Sequence, residues 1–89
     1  SFAQQTSNFV VFSEDASLFY VIINGIKQNV EPQSNVKITG LTNPNNQVLI
    51  VFANEKLGSL KKNIYFQEMG VEASAKITKT KTLPNAQKQ

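Results

Sequence analysis

The chain contains no cysteine, histidine, arginine or tryptophan, and these absences narrow its chemistry. Without cysteine it has neither a disulfide nor a thiolate nucleophile, and without histidine it lacks the commonest general base and metal ligand. The absence of arginine removes the side chain that most often makes bidentate contacts to phosphate and guanine. We therefore expect a protein that is not an enzyme, uses no cofactor and binds no nucleic acid.

The positive charge is carried entirely by lysine, at a net value of +3. The clusters are Lys61-Lys62 and the series Lys76, Lys79 and Lys81, which we interpret as a solvated face and a basic tail. A weaker alternative is electrostatic docking onto an anionic surface such as lipid headgroups or polysaccharide. No apolar run approaches the roughly 20 residues that cross a bilayer, so we expect no transmembrane segment.

A hairpin is the clearest structural signal in the chain. The apolar run from Leu18 to Ile23 stops at Asn24-Gly25 and restarts at Ile26. Asn-Gly favours a two-residue type I′ turn, because both central residues take positive φ. The turn predicts that a strand from Ile26 to Val30 pairs back on the first, with Ile23 opposite Ile26 and Ile22 opposite Lys27.

Further short apolar or alternating segments recur at roughly 8–12-residue spacing, without helical periodicity. The predicted strands are Asn8–Ser13, Leu18–Ile23, Ile26–Val30, the segment around Val36 and Ile38, Gln47–Ala53, Leu60–Gln67 and Val71–Ile77. We predict an all-β fold, a seven-stranded antiparallel β-sandwich of Ig-like or fibronectin-like character. A small closed β-barrel is an alternative, because the pattern of apolar residues alone does not give the strand order. The sandwich is placed at residues 8–80, after an N-terminal segment 1–7 and before a tail or linker 81–89.

Three predicted strands are apolar on both faces, although a strand in a two-layer sandwich needs only one apolar face. The outward residues are predicted to be Leu18, Tyr20, Ile22 and one phase of Val48–Phe52. Either loops or the tail cover them, or they meet another surface. The leading hypothesis is therefore a non-catalytic interaction or spacer module, whose partner is another protein, a second domain or a second copy.

Ligand binding is the alternative function. Tyr20 or Tyr65, with Lys61 and the amide-rich loop 43–47, could contact a carbohydrate or a peptide. The adjacent acids Glu14 and Asp15 are interpreted as a turn rather than a calcium site, with the Asp15 carboxylate accepting a backbone N–H two residues on.

The segment from Phe12 to Gly25 carries the pattern Phe-Ser-Glu-Asp-x-x-x-Phe-Tyr-x-x-x-Asn-Gly. It resembles an N-terminal β-sandwich module of exported Bacteroidetes proteins of unknown function, in which Ala16 is more often glycine. A PEGA-like pattern is also similar, with Asn-Gly, then Pro32, then a strand that ends in Gly40-Leu41. The resemblance implies an all-β exported module and no catalytic residue. Ser1 and Ala3 have the spacing of a signal-peptidase site, so we expect a periplasmic or cell-surface location.

Overall fold

A computed structural model describes residues 5–78, and these residues form two packed β-sheets. The strands are β1 (Ser7–Ser13), β2 (Phe19–Ile23), β3 (Ile26–Lys27), β4 (Asn35–Leu41), β5 (Asn45–Phe52), β6 (Ser59–Tyr65) and β7 (Glu72–Ile77). One sheet has the order β4-β1-β7, and the other has the order β3-β2-β5-β6. A single 3-10 turn, Glu55–Leu57, interrupts the β structure of these described residues. The prediction of an all-β, two-sheet protein is confirmed.

The core lies between the two sheets and follows from the alternation along each strand. Alternate residues of a strand point to opposite faces, so one phase of each strand packs inward. The Phe19 and Phe52 rings meet edge to face, with their centroids 6.4 Å apart. The buried core residues are Phe9, Val11, Phe19, Val21, Ile23, Val36, Ile38, Val48, Ile50, Phe52 and Ile77.

The β2–β3 hairpin has the predicted register. Ile22 pairs with Lys27 and Ile23 with Ile26, across a turn in which Asn24 and Gly25 have φ of 51° and 85°. The Asn24 side chain also joins this turn to β5, because its Oδ1 accepts the Gln47 N–H at 2.9 Å. The type I′ turn expected from Asn-Gly is confirmed.

The third strand is much shorter than predicted. After Lys27, the side chain of an asparagine makes hydrogen bonds to β2 in place of further strand backbone. Asn29 Oδ1 accepts the Val21 N–H at 2.8 Å, and its Nδ2 donates to the Phe19 carbonyl at 3.0 Å. Phe19 then exchanges two backbone hydrogen bonds with Gln33, at 2.9 and 3.0 Å. The predicted strand to Val30 is therefore wrong in its second half, although the backbone groups of β2 remain paired.

Not every strand pair is antiparallel as predicted. β1 and β7 run parallel, in register from Asn8 opposite Glu72 to Ser13 opposite Ile77. Parallel neighbours need a long connection, and most of the described chain lies between these two strands. The strand order also departs from the Ig constant arrangement, which keeps the first two strands in one sheet. Here β1 and β2 lie in different sheets.

Several element ends differ from the prediction. β1 begins at Ser7, whose side chain is buried and whose Oγ accepts the Gly70 and Val71 N–H groups at 3.1 and 3.3 Å. The segment 40–46, whose glycine, proline and asparagines favour one long turn, is partly strand, because β4 continues to Leu41 and β5 begins at Asn45. Residues 1–4 and the predicted tail 81–89 lie outside the described part of the chain.

Candidate functional site

An apolar patch lies on the outward face of the four-stranded sheet. Tyr20 pairs with Val51 and Ile22 pairs with Leu49, so two residues of β2 and two of β5 adjoin one another. All four side chains are partly exposed, so the described residues cover them incompletely. We call these four residues, Tyr20, Ile22, Leu49 and Val51, the outer patch.

The outer patch extends the face predicted from Leu18, Tyr20 and Ile22. Leu18 precedes β2 and is 48% exposed, and its carbonyl accepts the Ala53 N–H at 3.0 Å. It is therefore placed at the end of the same sheet, next to the patch. The structure adds Leu49 and Val51, and so shows which phase of β5 faces outward.

Lysines border the outer patch on both sides. Lys27 on β3 lies opposite Ile22, and Lys61 on β6 lies opposite Leu49. The Lys27 ammonium sits 4.0 Å from the centre of the Tyr20 ring, a cation–π contact. Among residues 5–78, neither lysine takes part in an ion pair. The patch therefore has an apolar centre and a basic edge.

The two tyrosines named as ligand contacts lie at opposite ends of this sheet. Tyr20 is level with Val51 of β5, whereas Tyr65 is level with Asn45. Six strand residues span roughly 20 Å, so the rings do not form one stacking platform. Tyr65 is 63% exposed and lies beside the amide-rich loop, where the Phe66 N–H bonds the Pro44 carbonyl at 2.8 Å.

The outward face of the three-stranded sheet is more polar. Its apolar residues, Val10 and Phe12, belong to the central strand β1, and polar or charged residues of β4 and β7 flank them. Lys37 pairs with Glu72 at 3.2 Å, and Lys76 pairs with Glu14 at 3.8 Å. The hydrogen bonds from Lys37 and Asn8 hold the pKa of the Glu72 carboxyl below its ordinary value.

The acidic turn between β1 and β2 has a structural role. Asp15 Oδ1 accepts the Ser17 N–H at 3.1 Å, which confirms the predicted contact two residues on. In the part of the chain that the structure describes, no three acidic, histidine or cysteine side chains come together as metal ligands. The same residues include no helix with the length and apolar character needed to cross a membrane.

An apolar cleft opens between the two sheets on the side where β6 faces β7. Its volume is about 440 Å³. Core residues of β1 and β5 form the floor, and Leu57, Leu60, Ile64 and Ala75 form the walls. Lys56 and Lys62 also line it, and Thr78 lies at its edge. We call this feature the open cleft.

Sequence reasoning did not find the open cleft. The alternation of Leu60 and Ile64 indicated an inward face on β6, and that of Ala73 and Ala75 indicated one on β7. The available signal was the small size of Ala75, which leaves space at the cleft, whereas Phe, Ile and Val fill most of the buried core.

The chain was compared with known proteins. No protein-family model, curated protein or solved structure matches it. The outer patch and the open cleft are therefore interpreted from their own residues.

Proposed function

We propose that the chain is a non-catalytic interaction module of an exported protein, and that it docks a protein partner through the outer patch. The observation that supports this proposal is the row Lys27, Ile22, Leu49, Lys61, which crosses four strands with its apolar pair in the centre. An apolar centre with a polar rim is the usual anatomy of a protein interface.

The basic edge of the outer patch favours a partner with a negatively charged surface. A matching surface would carry apolar side chains in its centre and aspartate or glutamate around it, since complementary charge favours association and register. A second copy fits less well, because two outer patches packed face to face would bring lysine against lysine at both ends of the row. We therefore favour a different, acid-edged protein over self-association.

We also propose the finer fold assignment of a seven-stranded sandwich. It shares with Ig-like domains the packing of a three-stranded sheet on a four-stranded sheet, but has its own strand order. Such a scaffold would hold the outer patch on two neighbouring strands, which positions side chains more rigidly than a loop does.

The test uses a random peptide display library panned on the full chain. Binders are expected to combine apolar residues with acids, and their binding should weaken at higher salt. Ile22→Thr should abolish that binding, and Lys61→Gln should reduce it. Val10→Thr is the matched control, because it places the same polar residue on the outward face of the other sheet.

Two results would overturn this assignment. One is a set of binders without acids, or binders that Ile22→Thr leaves unaffected. The other is sedimentation that shows a concentration-dependent dimer of the wild-type chain that Ile22→Thr dissociates, because the patch would then serve self-association.

Carbohydrate binding is the second candidate, on the single observation that Tyr65 is exposed beside Asn45. Exposed aromatic rings next to amide groups suit the faces and hydroxyls of sugars. A glycan screen with wild-type chain and Tyr65→Ala tests it. A hit that survives Tyr65→Ala would exclude this residue as the contact.

A further inference from the structure

The open cleft is a part of the core that the described residues leave unfilled. Ala75 contributes only a methyl group to its wall, and Leu60 is 41% exposed although it lies opposite the buried Ile50. Most buried inward positions elsewhere in the sandwich carry Phe, Ile or Val. A volume of about 440 Å³ lies in the range of pockets that hold small organic ligands, roughly 300–1,000 Å³.

The charged side chains that line the open cleft are all lysines. Lys56 and Lys62 line it, and among residues 5–78 neither takes part in an ion pair. Lys76 lies at the same edge, but its amine pairs with Glu14 at 3.8 Å. Of the described residues that line the cleft, none is acidic. The surroundings therefore favour a ligand with an apolar body and a negative group.

We propose that the open cleft binds a single-chain amphiphile with an anionic head, such as a fatty acid. The hydrocarbon chain would lie between the sheets against Leu60, Ile64 and Ala75, and the head would meet Lys56 and Lys62 at the surface. Burial of the chain supplies the affinity, since each methylene removed from water contributes about 0.8 kcal/mol. The two lysines orient the head.

An added β-strand is a less suitable occupant. β6 is an edge strand, and Lys62 lies in its inward phase, opposite the buried Val48. An inward-pointing charge on an edge strand is a device that prevents strand addition. Residues 79–89 are the other competitor, because Thr78 lies at the cleft. Their sequence contains three lysines and no acid, so their charge matches that of the cleft rather than complementing it.

The first experiment titrates the full chain with dodecanoate below its micelle concentration and with uncharged dodecan-1-ol, by amide NMR. The double variant Lys56→Gln/Lys62→Gln should weaken dodecanoate binding by roughly fivefold, the size expected for exposed charge pairs. It should leave dodecanol binding unchanged. Lys27→Gln/Lys61→Gln is the matched control, since it removes the same charge from the outer patch, and it should leave both affinities within about twofold.

The second experiment fills the cleft. Ala75→Leu should abolish the binding of both compounds, because its side chain would occupy the space of the hydrocarbon chain. If that variant does not fold, Ala75→Val is used, and it should weaken both compounds in parallel. Denaturant unfolding shows whether each variant is folded before it is titrated.

Three results would overturn the proposal. The first is no dodecanoate binding below the micelle concentration, or shifts confined to Tyr20 and Ile22. The second is an equal loss of affinity in the two double lysine variants. The third is a set of nuclear Overhauser contacts between Ile64 and residues 79–89 that dodecanoate does not displace, because the tail would then be the occupant.

Discussion

The two long sides of the sandwich are built in opposite ways. On one side, residues 28–34 run from β3 to β4 and bond both sheets, through Gln33 to Phe19 and through Ser34 to Ser13. On the other side β6 and β7 are the edge strands of their sheets within residues 5–78, and the open cleft lies between them. We call these the closed side and the open side.

The difference shows what closes a small β-sandwich. On the closed side, Phe19 and Val21 are fully buried, because the connecting chain covers the gap between the sheets. On the open side the connection 66–71 crosses between the sheets only where β6 ends and β7 begins, and near the other end of β6 Leu60 keeps 41% of its surface exposed. The two sides therefore differ in how much of the gap between the sheets a connecting segment covers.

The largest expected effect is a contrast between truncations on the two sides. Phe19→Ala should lower the free energy of unfolding by about 3–5 kcal/mol, since it removes a buried ring and leaves a cavity. Leu60→Ala should cost under about 1 kcal/mol, because that side chain is already partly in water. Urea denaturation measures both. Equal losses would show that the open side is packed as fully as the closed side.

Removal of the Asn29 side chain tests how the closed side is held. Asn29→Ala leaves the buried Val21 N–H without its acceptor, which costs about 1–3 kcal/mol, whereas the Phe19 carbonyl keeps its hydrogen bond from the Gln33 N–H. We therefore expect a loss of about 1–3 kcal/mol. Asn63→Ala, at an exposed position of β6, should change stability by under about 0.5 kcal/mol. A comparable loss at both positions would contradict the role given to Asn29.

A change in the turn between β1 and β2 should give a smaller effect, of opposite sign. Ala16 has φ of 63°, a left-handed conformation that strains a residue with a Cβ. Ala16→Gly should raise the free energy of unfolding by roughly 0.5–1 kcal/mol, because relief of strain outweighs the added entropy of the unfolded chain. Ala53→Gly, at an exposed position without positive φ, should not stabilise the fold. Stabilisation by both changes would exclude backbone strain as the reason.

The smallest effect concerns the ion pair that links the two sides, between Lys37 on β4 and Glu72 on β7. The pKa of Glu72 is lowered in the folded state, so its contribution is present above the unfolded pKa. That contribution is lost as the pH falls through the lower, folded pKa. Glu72→Gln and Lys37→Gln should therefore both reduce the acid sensitivity of unfolding, measured by denaturant titration across the acid range. Unchanged acid sensitivity in both variants would show that the ion pair between Lys37 and Glu72 does not contribute to the pH dependence of stability.

Local features of the fold were predictable from particular residues. Asn24-Gly25 specified the turn and the register of β2 on β3, because few other residues accept positive φ twice in succession. Asp15 specified the turn that follows it, because its carboxylate accepts the backbone N–H of Ser17, two residues on. The end of β3 was not predictable, because Asn29, two residues after the strand, is polar in sequence and buried only in the folded chain.

The candidate sites divide in the same way. Tyr20 and Ile22 were identified as outward residues because their strand is apolar on both faces. Leu49 and Val51 required the register of β5 on β2, which no local pattern contains. The open cleft required the placement of β6 and β7 in different sheets around core residues of β1 and β5, which no local pattern contains. The small size of Ala75 was its one local signal.

Composition and alternation by themselves determined that this is a β protein and where most of its strands and turns lie. They did so because backbone preferences and the two-residue repeat act over a few neighbouring residues. The parallel pairing of β1 with β7, the distribution of strands between the sheets and the contrast between the closed and open sides were decided only in three dimensions. These features depend on contacts between residues far apart in the chain, whose free energy exists only once the two sheets have packed.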